Sequence, residues 1–327
     1  MGEAWFVPLW DSTPQPLLAG LLGVAALLAS RPLIGRCLAI CEAPEPRRAW
    51  RPAIATGVLV GVFAWLMLTI DVQRIPEVRP SPVWDRLVIV HHSVLLVLLT
   101  AAATSDWRTC YIPDLAPLLG LAIAIPAATL SGDLQICHLW VDWNEEVPGF
   151  QGPYLPGWLS AHPHWHGLAW SLAGAACGAA LTGTVRGISR WALGMPALGA
   201  GDVLLMAMIG AYLGWQPTVL AFLLAPVLAI AVGLPVRVST GRPYIPYGPF
   251  LALAAMVVLF TWRWLWMLEW SYGSPLRPGD RRTTFAVRRL FGDPWALIGI
   301  AAAVAVALAG LLAWRRWQAS WSVSRES

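Results

Sequence analysis

The chain has 327 residues, of which 57% are hydrophobic and only 12% are charged, and its mean hydropathy is +0.61. This composition is too apolar for a water-soluble domain and predicts a protein that crosses a lipid bilayer several times. The basic residues are all arginines that cluster at the ends of apolar runs, so the net charge of +4 reports on membrane topology and indicates no nucleic-acid partner.

Nine apolar runs approach the length of a membrane-spanning helix, which needs about 20 residues. They predict an all-α, polytopic transmembrane helix bundle of about eight or nine spans, organised as a single membrane domain over residues 1–327. In chain order the predicted spans are 16–34, 53–70, 87–104, 114–130, 167–185, 194–215, 217–235, 246–263 and 295–314.

The arginines of the short loops predict the orientation of these spans. None precedes the first span, whereas residues 31–52 contain five, so we expect the N-terminus outside and this loop in the cytoplasm. Alternation then places three more arginine-bearing loops in the cytoplasm: 105–113, 186–193 and 236–245.

Two segments predicted to lie outside differ in charge. The 131–166 loop has no basic residue, is rich in Trp, Pro and Gly, and is expected to be an irregular interfacial loop. Segment 264–294 should also lie outside, yet it contains five arginines. Either the last span is misplaced, or this segment returns to the cytoplasm.

Apart from Asp114, two carboxylates lie directly where a predicted cytoplasmic loop meets an apolar span, Asp106 and Asp202. An ionisable group at membrane depth is costly and therefore indicates a functional site. Asp114 follows Pro113 and is expected to be structural, as the N-cap of the next helix.

Asp202 stands among glycines at the start of the apolar run 203–214. As a helix this run is about 18 Å long, short of the roughly 30 Å of a bilayer core. The span is therefore expected to begin near Gly194 and to place Asp202 inside the membrane boundary. The alternative is that Asp202 only caps a helix, by accepting a hydrogen bond from the N–H of Leu204 or Leu205.

Two aspartates on separate helices at one membrane depth are the groups needed for acid–base activation of a water molecule. One ionised carboxylate removes a proton from the water, while the other, protonated, donates to the carbonyl oxygen of the attacked bond. Gly199 and Gly201 lack a Cβ and would let the backbone approach a substrate strand. We therefore predict Asp106 and Asp202 as catalytic, with the two glycines as positions of close substrate approach.

Other polar residues are expected to lie outside this site. The histidines of HPHWH at 162–166 could share one face of an extended segment and bind a metal, but solvated interfacial residues are the simpler interpretation. His92 is about 21 Å along a helix from Asp106, so it and His91 are expected to face the bundle near its outer surface. The five cysteines are odd in number and scattered, so they indicate neither a disulfide framework nor a zinc site.

Three stretches resemble motifs of the type IV prepilin peptidases, a family of GxGD-type membrane aspartic proteases. ALGAGDVLLMAMIGAYLGWQ at 197–216 looks like the GxGD segment, SDWRTCYIPD at 105–114 is similar to the first aspartate motif, and IPYGPFLALAA at 245–255 resembles the late PxGPFLA span. The resemblance covers residues 86–262, which we predict as the peptidase core. It leaves 264–327 as a C-terminal extension of unknown role.

The resemblance implies an aspartic endopeptidase whose catalytic residues match Asp106 and Asp202. Such an enzyme would lie in the inner membrane with its active site toward the cytoplasm, and would cut the short basic leader from prepilins or pseudopilins just after a glycine. Its partners would be these leader peptides and the bilayer, and it would need no cofactor. Two alternatives stay open: a transporter or assembly subunit that binds an ion through the aspartates, and a catalytically impaired homologue.

The chain also departs from the family's pattern. Family members often carry a Glu just before the GxGD segment and a Lys two residues after its Asp, where this chain has Pro196 and Leu204. Bifunctional members carry two CxxC pairs in a methyltransferase region of the first cytoplasmic loop. That loop is short here, and Cys37 and Cys41 are spaced CxxxC with no partner pair. We therefore expect neither a zinc site nor methylation activity.

Overall fold

The computed structural model describes residues 6–43, 50–78, 80–140, 157, 161–242, 244–272 and 283–323. Its helices are α1 (Phe6–Ser12), α2 (Gln15–Ile40), α3 (Trp50–Ile70), α4 (Pro82–Thr109), α5 (Leu115–Ser131), α6 (Pro163–Leu193), α7 (Ala200–Leu213), α8 (Trp215–Leu228), α9 (Leu234–Thr240), α10 (Gly248–Trp266), α11 (Val287–Leu290) and α12 (Pro294–Val323). A π-helical turn, Ala229–Gly233, joins α8 to α9. Strands β1 (Glu269–Tyr272) and β2 (Thr283–Ala286) pair antiparallel, with Glu269 opposite Ala286.

The apolar helices confirm the predicted fold class. Within the described residues, six helices are long and apolar enough to cross a membrane: α2, α3, α4, α6, the continuous α8–α9 unit and α10. Three shorter apolar helices add to them, α5, α7 and the first part of α12. Each of the nine predicted spans coincides with one of these nine helices. The chain is therefore an all-α, polytopic membrane bundle with one small β-hairpin.

The predicted start of the sixth span near Gly194 is wrong. Gly194 has φ +76° and ends α6 in the left-handed conformation, which glycine adopts without strain. Residues 194–199 form a loop, and α7 begins only at Ala200. This helix has 14 residues and is about 21 Å long. It can be short because α7 is surrounded by other helices, and every residue from Leu205 to Leu213 is buried.

Helices α6 and α7 pack backbone against backbone through glycines. A Cβ added at Gly174 would lie 2.0 Å from the Gly210 carbonyl oxygen, and one at Gly178 would lie 2.0 Å from that of Met206. Such close approach without side chains is typical of helix pairs in membranes. It fixes α7, with the GxGD segment at its start, against α6.

The end of the bundle remote from the aspartates is held together by hydrogen bonds between distant segments. There the Arg263 N–H donates to the Val72 carbonyl (3.0 Å), and the Ser81 N–H donates to Asp133 (2.7 Å). Helix α4 begins beside these residues and carries Asp106 about 36 Å away along its axis. Asp106 therefore belongs to the opposite end of the bundle.

The described part of segment 264–294 lies at this remote end. Arg288 forms an ion pair with Glu269 across the β-hairpin, and Phe291 packs against Trp215 with ring centroids 5.5 Å apart. This position agrees with alternating topology, so the alternative in which the segment returns to the end with the aspartates is not supported. Three of its five arginines lie outside the described residues: Arg277, Arg281 and Arg282.

Only part of the predicted 131–166 loop can be described. Residues 141–156 and 158–160 lie outside the described residues. Residues 132–140 form an irregular segment, as predicted, and its His138 carbonyl accepts a hydrogen bond from the side chain of Gln216 (2.8 Å). The C-terminal part of the predicted loop is instead the first turn of α6, which starts at Pro163.

Candidate functional site

Asp106 lies in the last turns of α4, and only 5% of its surface is exposed. Its Oδ2 accepts a hydrogen bond from the N–H of Gly248, the first residue of α10 (3.0 Å). A Cβ on residue 248 would lie 2.5 Å from this oxygen. The glycine therefore lets the N-terminus of α10 reach the carboxylate through the Gly248 N–H.

Asp202 is the third residue of α7 and is 8% exposed. Its Oδ2 accepts a hydrogen bond from the N–H of Gly199 (2.8 Å), which is the acidic half of a capping box. Asp202 therefore does help to cap the helix, but the predicted donor, the N–H of Leu204 or Leu205, is wrong: the donor is the Gly199 N–H. One oxygen of the carboxylate therefore secures the start of the helix.

The fold brings the two aspartates together. Asp106 and Asp202 come from different helices, and their charges lie close enough to repel each other. Ile112, between α4 and α5, packs against the GxGD segment, since a Cβ on Gly201 would lie 2.8 Å from the Ile112 Cβ. Helix packing thus accounts for Gly201, whereas Gly199 is exposed.

Two tyrosines just before α10 also belong to the site. Burial and the negative charges of Asp106 and Asp202 raise the pKa of Tyr244, whose side chain is nevertheless mostly exposed. Burial, with a contribution from Asp202, raises the pKa of Tyr247 to about 12, so its hydroxyl stays neutral and can donate a hydrogen bond. Both tyrosines fall within or beside the IPYGPFLALAA stretch, but neither was predicted to have a role.

Two arginines, Arg186 and Arg242, bring positive charge to this end of the bundle. The Arg186 guanidinium lies close enough to Asp202 to attract its charge, and it donates a hydrogen bond to the Leu198 carbonyl. Arg242 stacks over the ring of Trp107, 5.3 Å from its centroid. In the sequence these arginines were topology signals only.

Asp114 lies where the sequence predicted, at the N-cap position of α5. Its side chain is exposed and makes no capping hydrogen bond, while its carbonyl accepts one from the Leu118 N–H (2.9 Å). The residue marks the start of a helix, and its side chain is exposed, whereas those of Asp106 and Asp202 are buried.

The histidines of the 162–166 motif are not arranged as an extended metal-binding segment, because α6 begins at Pro163. His164 and His162 are exposed, as the interfacial interpretation predicts. That interpretation is wrong for His166, which is buried and accepts a hydrogen bond from the Leu139 N–H (3.2 Å). No group of three or more His, Cys, Asp or Glu side chains that could hold a metal occurs in the described ranges.

His91 and His92 are buried within the bundle toward the end remote from the aspartates, as predicted. The Nδ1 of His92 is hydrogen bonded to Oε1 of Gln73 (2.9 Å), and the ring of His91 packs on Tyr212 with centroids 4.4 Å apart. They form part of the packed interior and lie apart from the candidate acid–base pair.

The fold and the site together define a class: a polytopic helical membrane protein with two buried, interacting carboxylates at one end of its bundle. The model of the type IV leader peptidase family matches residues 152–234, a range that contains Asp202 and follows Asp106. Over this range the chain is similar to the type IV leader peptidase family, and it is also similar to the relatives described below.

The curated relatives carry the name prepilin leader peptidase/N-methyltransferase. The Pseudomonas putida protein is 35% identical over 113 residues, which are 32% of this chain and 39% of the relative. The protein from Burkholderia pseudomallei strain 1026b is 35% identical over 125 residues, or 34% and 40% of the two chains. The Aeromonas hydrophila protein is 30% identical over 161 residues, or 44% and 55%.

The chain thus spans from about two fifths to just over half the length of these relatives. No solved structure shows significant similarity to it.

Proposed function

We propose that this protein is an aspartic endopeptidase that removes the leader peptide from type IV prepilin-like or pseudopilin-like proteins. One observation carries the proposal: Asp106 and Asp202, far apart in the chain, form a buried pair at one end of the bundle. The match of residues 152–234 to the type IV leader peptidase family and the names of the relatives support the choice of substrate.

In the proposed mechanism the pair shares one proton and activates a water molecule. We assign the ionised role to Asp202, because it is the partner nearer the positive charge of Arg186. Asp202 takes a proton from the water as its oxygen attacks the carbonyl carbon of the peptide bond, and protonated Asp106 donates its proton to the carbonyl oxygen. When the tetrahedral intermediate collapses, the C–N bond breaks, the leaving amine takes the proton held by Asp202, and one hydroxyl of the intermediate returns its proton to Asp106 as the new carboxyl group forms.

The described geometry supports this division of roles. Asp106 is already hydrogen bonded by the Gly248 N–H, and Asp202 by the Gly199 N–H, so each carboxylate has one oxygen held and the other available. The neutral hydroxyls of Tyr244 and Tyr247 lie beside the pair. Positioned donors of this kind can stabilise the negative charge that develops on the substrate oxygen.

For cellular placement we propose the inner membrane, with the site facing the cytoplasm. The pair lies at the same end as the arginine-bearing loops 105–113, 186–193 and 236–245, which the positive-inside rule assigns to the cytoplasm. The partner at this face would be the short basic leader of the substrate. We further propose that no metal or organic cofactor takes part.

The proposal is tested by co-expressing the protein with a prepilin-like substrate and following the leader by gel shift and mass. Asp106→Ala and Asp202→Ala should both abolish cleavage while inserting into the membrane normally. Asp114→Ala is the matched control, because this carboxylate follows Asp106 by only eight residues but is exposed and lies outside the pair. Cleavage that persists in either pair variant would refute the assignment, and ion-dependent flux without cleavage would favour a transporter.

A further inference from the structure

The loop that precedes Asp202 needs external anchors. Residues 194–197 and 199 are exposed, and of this loop only the Leu198 side chain is buried. Yet the loop supplies the N–H that holds one oxygen of Asp202. An exposed loop would by itself leave that N–H, and with it the carboxylate, free to move.

The anchors come from the last turns of α6. The buried Ser189 accepts a hydrogen bond from the Ala197 N–H (2.8 Å) and donates one to the Arg186 carbonyl (3.0 Å). The Arg186 guanidinium in turn donates to the Leu198 carbonyl. Helix α6 therefore holds two successive residues of the loop.

The Arg186 contact reaches Asp202 through a single peptide group. The Leu198 carbonyl that accepts from Arg186 and the Gly199 N–H that donates to Asp202 belong to the same peptide unit. A cation bound to the oxygen of a peptide polarises it and strengthens its N–H as a donor. The same guanidinium also attracts the Asp202 charge directly through space.

We propose that Arg186 is a positioning residue for Asp202, acting through the peptide group between Leu198 and Gly199. It fixes the orientation of the carboxylate toward Asp106 and favours its ionised form. The inference rests on the proposed peptidase function for its kinetic test, but the geometry it assigns can be measured without catalysis.

Two substitutions separate the charge of Arg186 from its bulk, and a third serves as the control. Arg186→Gln keeps a hydrogen-bond donor and removes the charge, whereas Arg186→Lys keeps the charge. Arg190→Gln is the matched control. Arg190 lies one turn further along α6, and its side chain is exposed. The control thus removes the same charge from the same helix end without touching the peptide group.

With the full-length protein and a prepilin-like substrate, Arg186→Gln should lower kcat on the order of 10- to 100-fold, with little change in KM. Arg186→Lys should restore most of that loss, and Arg190→Gln should cleave as the unmodified protein does. A structural role in folding alone would not give this rescue by lysine. Equal kcat values for Arg186→Gln and Arg190→Gln would overturn the proposal.

The pH profile provides a second kinetic readout. The charged and titratable groups that face Asp202 are Asp106 from α4, Arg186 from α6, and Tyr244 and Tyr247 ahead of α10. Without the nearby cation, ionised Asp202 is less favoured, so the acidic limb of the kcat profile should move to higher pH in Arg186→Gln. An unmoved acidic limb would contradict the electrostatic part of the proposal.

Hydrogen–deuterium exchange tests the geometry independently of activity. Peptides covering 194–202 should exchange faster in Arg186→Gln than in Arg190→Gln, because the Gly199 N–H loses its anchored peptide group. If the unmodified protein cleaves no leader, the proposed function fails, and this exchange difference still decides the positioning role. Identical exchange in Arg186→Gln and Arg190→Gln would overturn the positioning role of Arg186.

Discussion

The contact between Gly248 and Asp106 can be tested by replacing the glycine with alanine. A Cβ at this position would lie 2.5 Å from Oδ2 of Asp106 and 2.7 Å from Cδ1 of Ile112, whereas an ordinary contact needs at least 3.4 Å. The carboxylate and the start of α10 must therefore separate by roughly 1 Å. This breaks the hydrogen bond from the Gly248 N–H, which holds Asp106 toward Asp202.

Two effects set the size of the loss. Asp106 is protonated in the proposed mechanism, so the lost hydrogen bond has a neutral acceptor and contributes about 0.5–1.5 kcal/mol, roughly 2- to 13-fold in rate if the bond persists in the transition state. A displacement of about 1 Å in a catalytic group typically costs about 100-fold. We therefore expect Gly248→Ala to lower kcat/KM for leader cleavage by about 100-fold.

The assay measures initial cleavage rates of a prepilin-like substrate with purified protein, alongside the melting temperature of each variant. Gly187→Ala is the matched control, since it adds the same methyl group on α6, where nothing lies within 4 Å. The reasoning is refuted if Gly248→Ala cleaves at the rate of the unmodified protein with an unchanged melting temperature.

Four further predictions concern packing, titration and chemistry. Gly210→Ala would place a Cβ 1.9 Å from the Gly174 carbonyl oxygen, so it should destabilise the bundle by about 3 kcal/mol, and an unchanged melting temperature would contradict the packing of α6 on α7. A pair of aspartates that shares one proton titrates as a unit, so the cleavage rate should show a bell-shaped pH dependence, and a flat profile from about pH 4 to 9 would count against the pair. Because the pKa of Tyr247 is raised to about 12, its hydroxyl stays neutral throughout that range, and Tyr247→Phe should leave the basic limb unmoved; a shift would show that the tyrosine titrates there. Purified protein should transfer no methyl group from S-adenosylmethionine to the trimmed substrate, and detectable transfer would disprove the expectation drawn from Cys37 and Cys41.

Much of the bundle could be predicted from the sequence because a bilayer imposes simple requirements on a helix. An apolar run of about 20 residues has few alternatives in a membrane, so the nine predicted spans coincide with helices. The start of α7 was predicted wrongly because the requirement of about 20 residues applies to a helix that crosses the bilayer facing lipid. Helix α7 is enclosed by its neighbours, and Gly194 ends the preceding helix before a new one begins at Ala200.

The candidate pair could be proposed from motifs, but its surroundings could not. The Gly248 N–H that reaches Asp106 is 142 positions away in the chain, and no local pattern indicates that contact. Arg186 looked like a topology signal because it closes an apolar run, and only the folded chain places it over the Leu198 carbonyl. Long-range contacts of this kind depend on how helices pack and leave no periodic trace in the sequence.

The most direct test of the central claim is the cleavage rate of a prepilin-like substrate by purified Asp106→Asn, Asp202→Asn and the double variant. If the two carboxylates act as one unit, each single variant should lose about as much activity as the double variant, on the order of 1,000-fold or more. If the fold-loss of the double variant equals the product of the two single losses, the two aspartates do not form one catalytic pair. The same conclusion would follow from a single variant that keeps its activity.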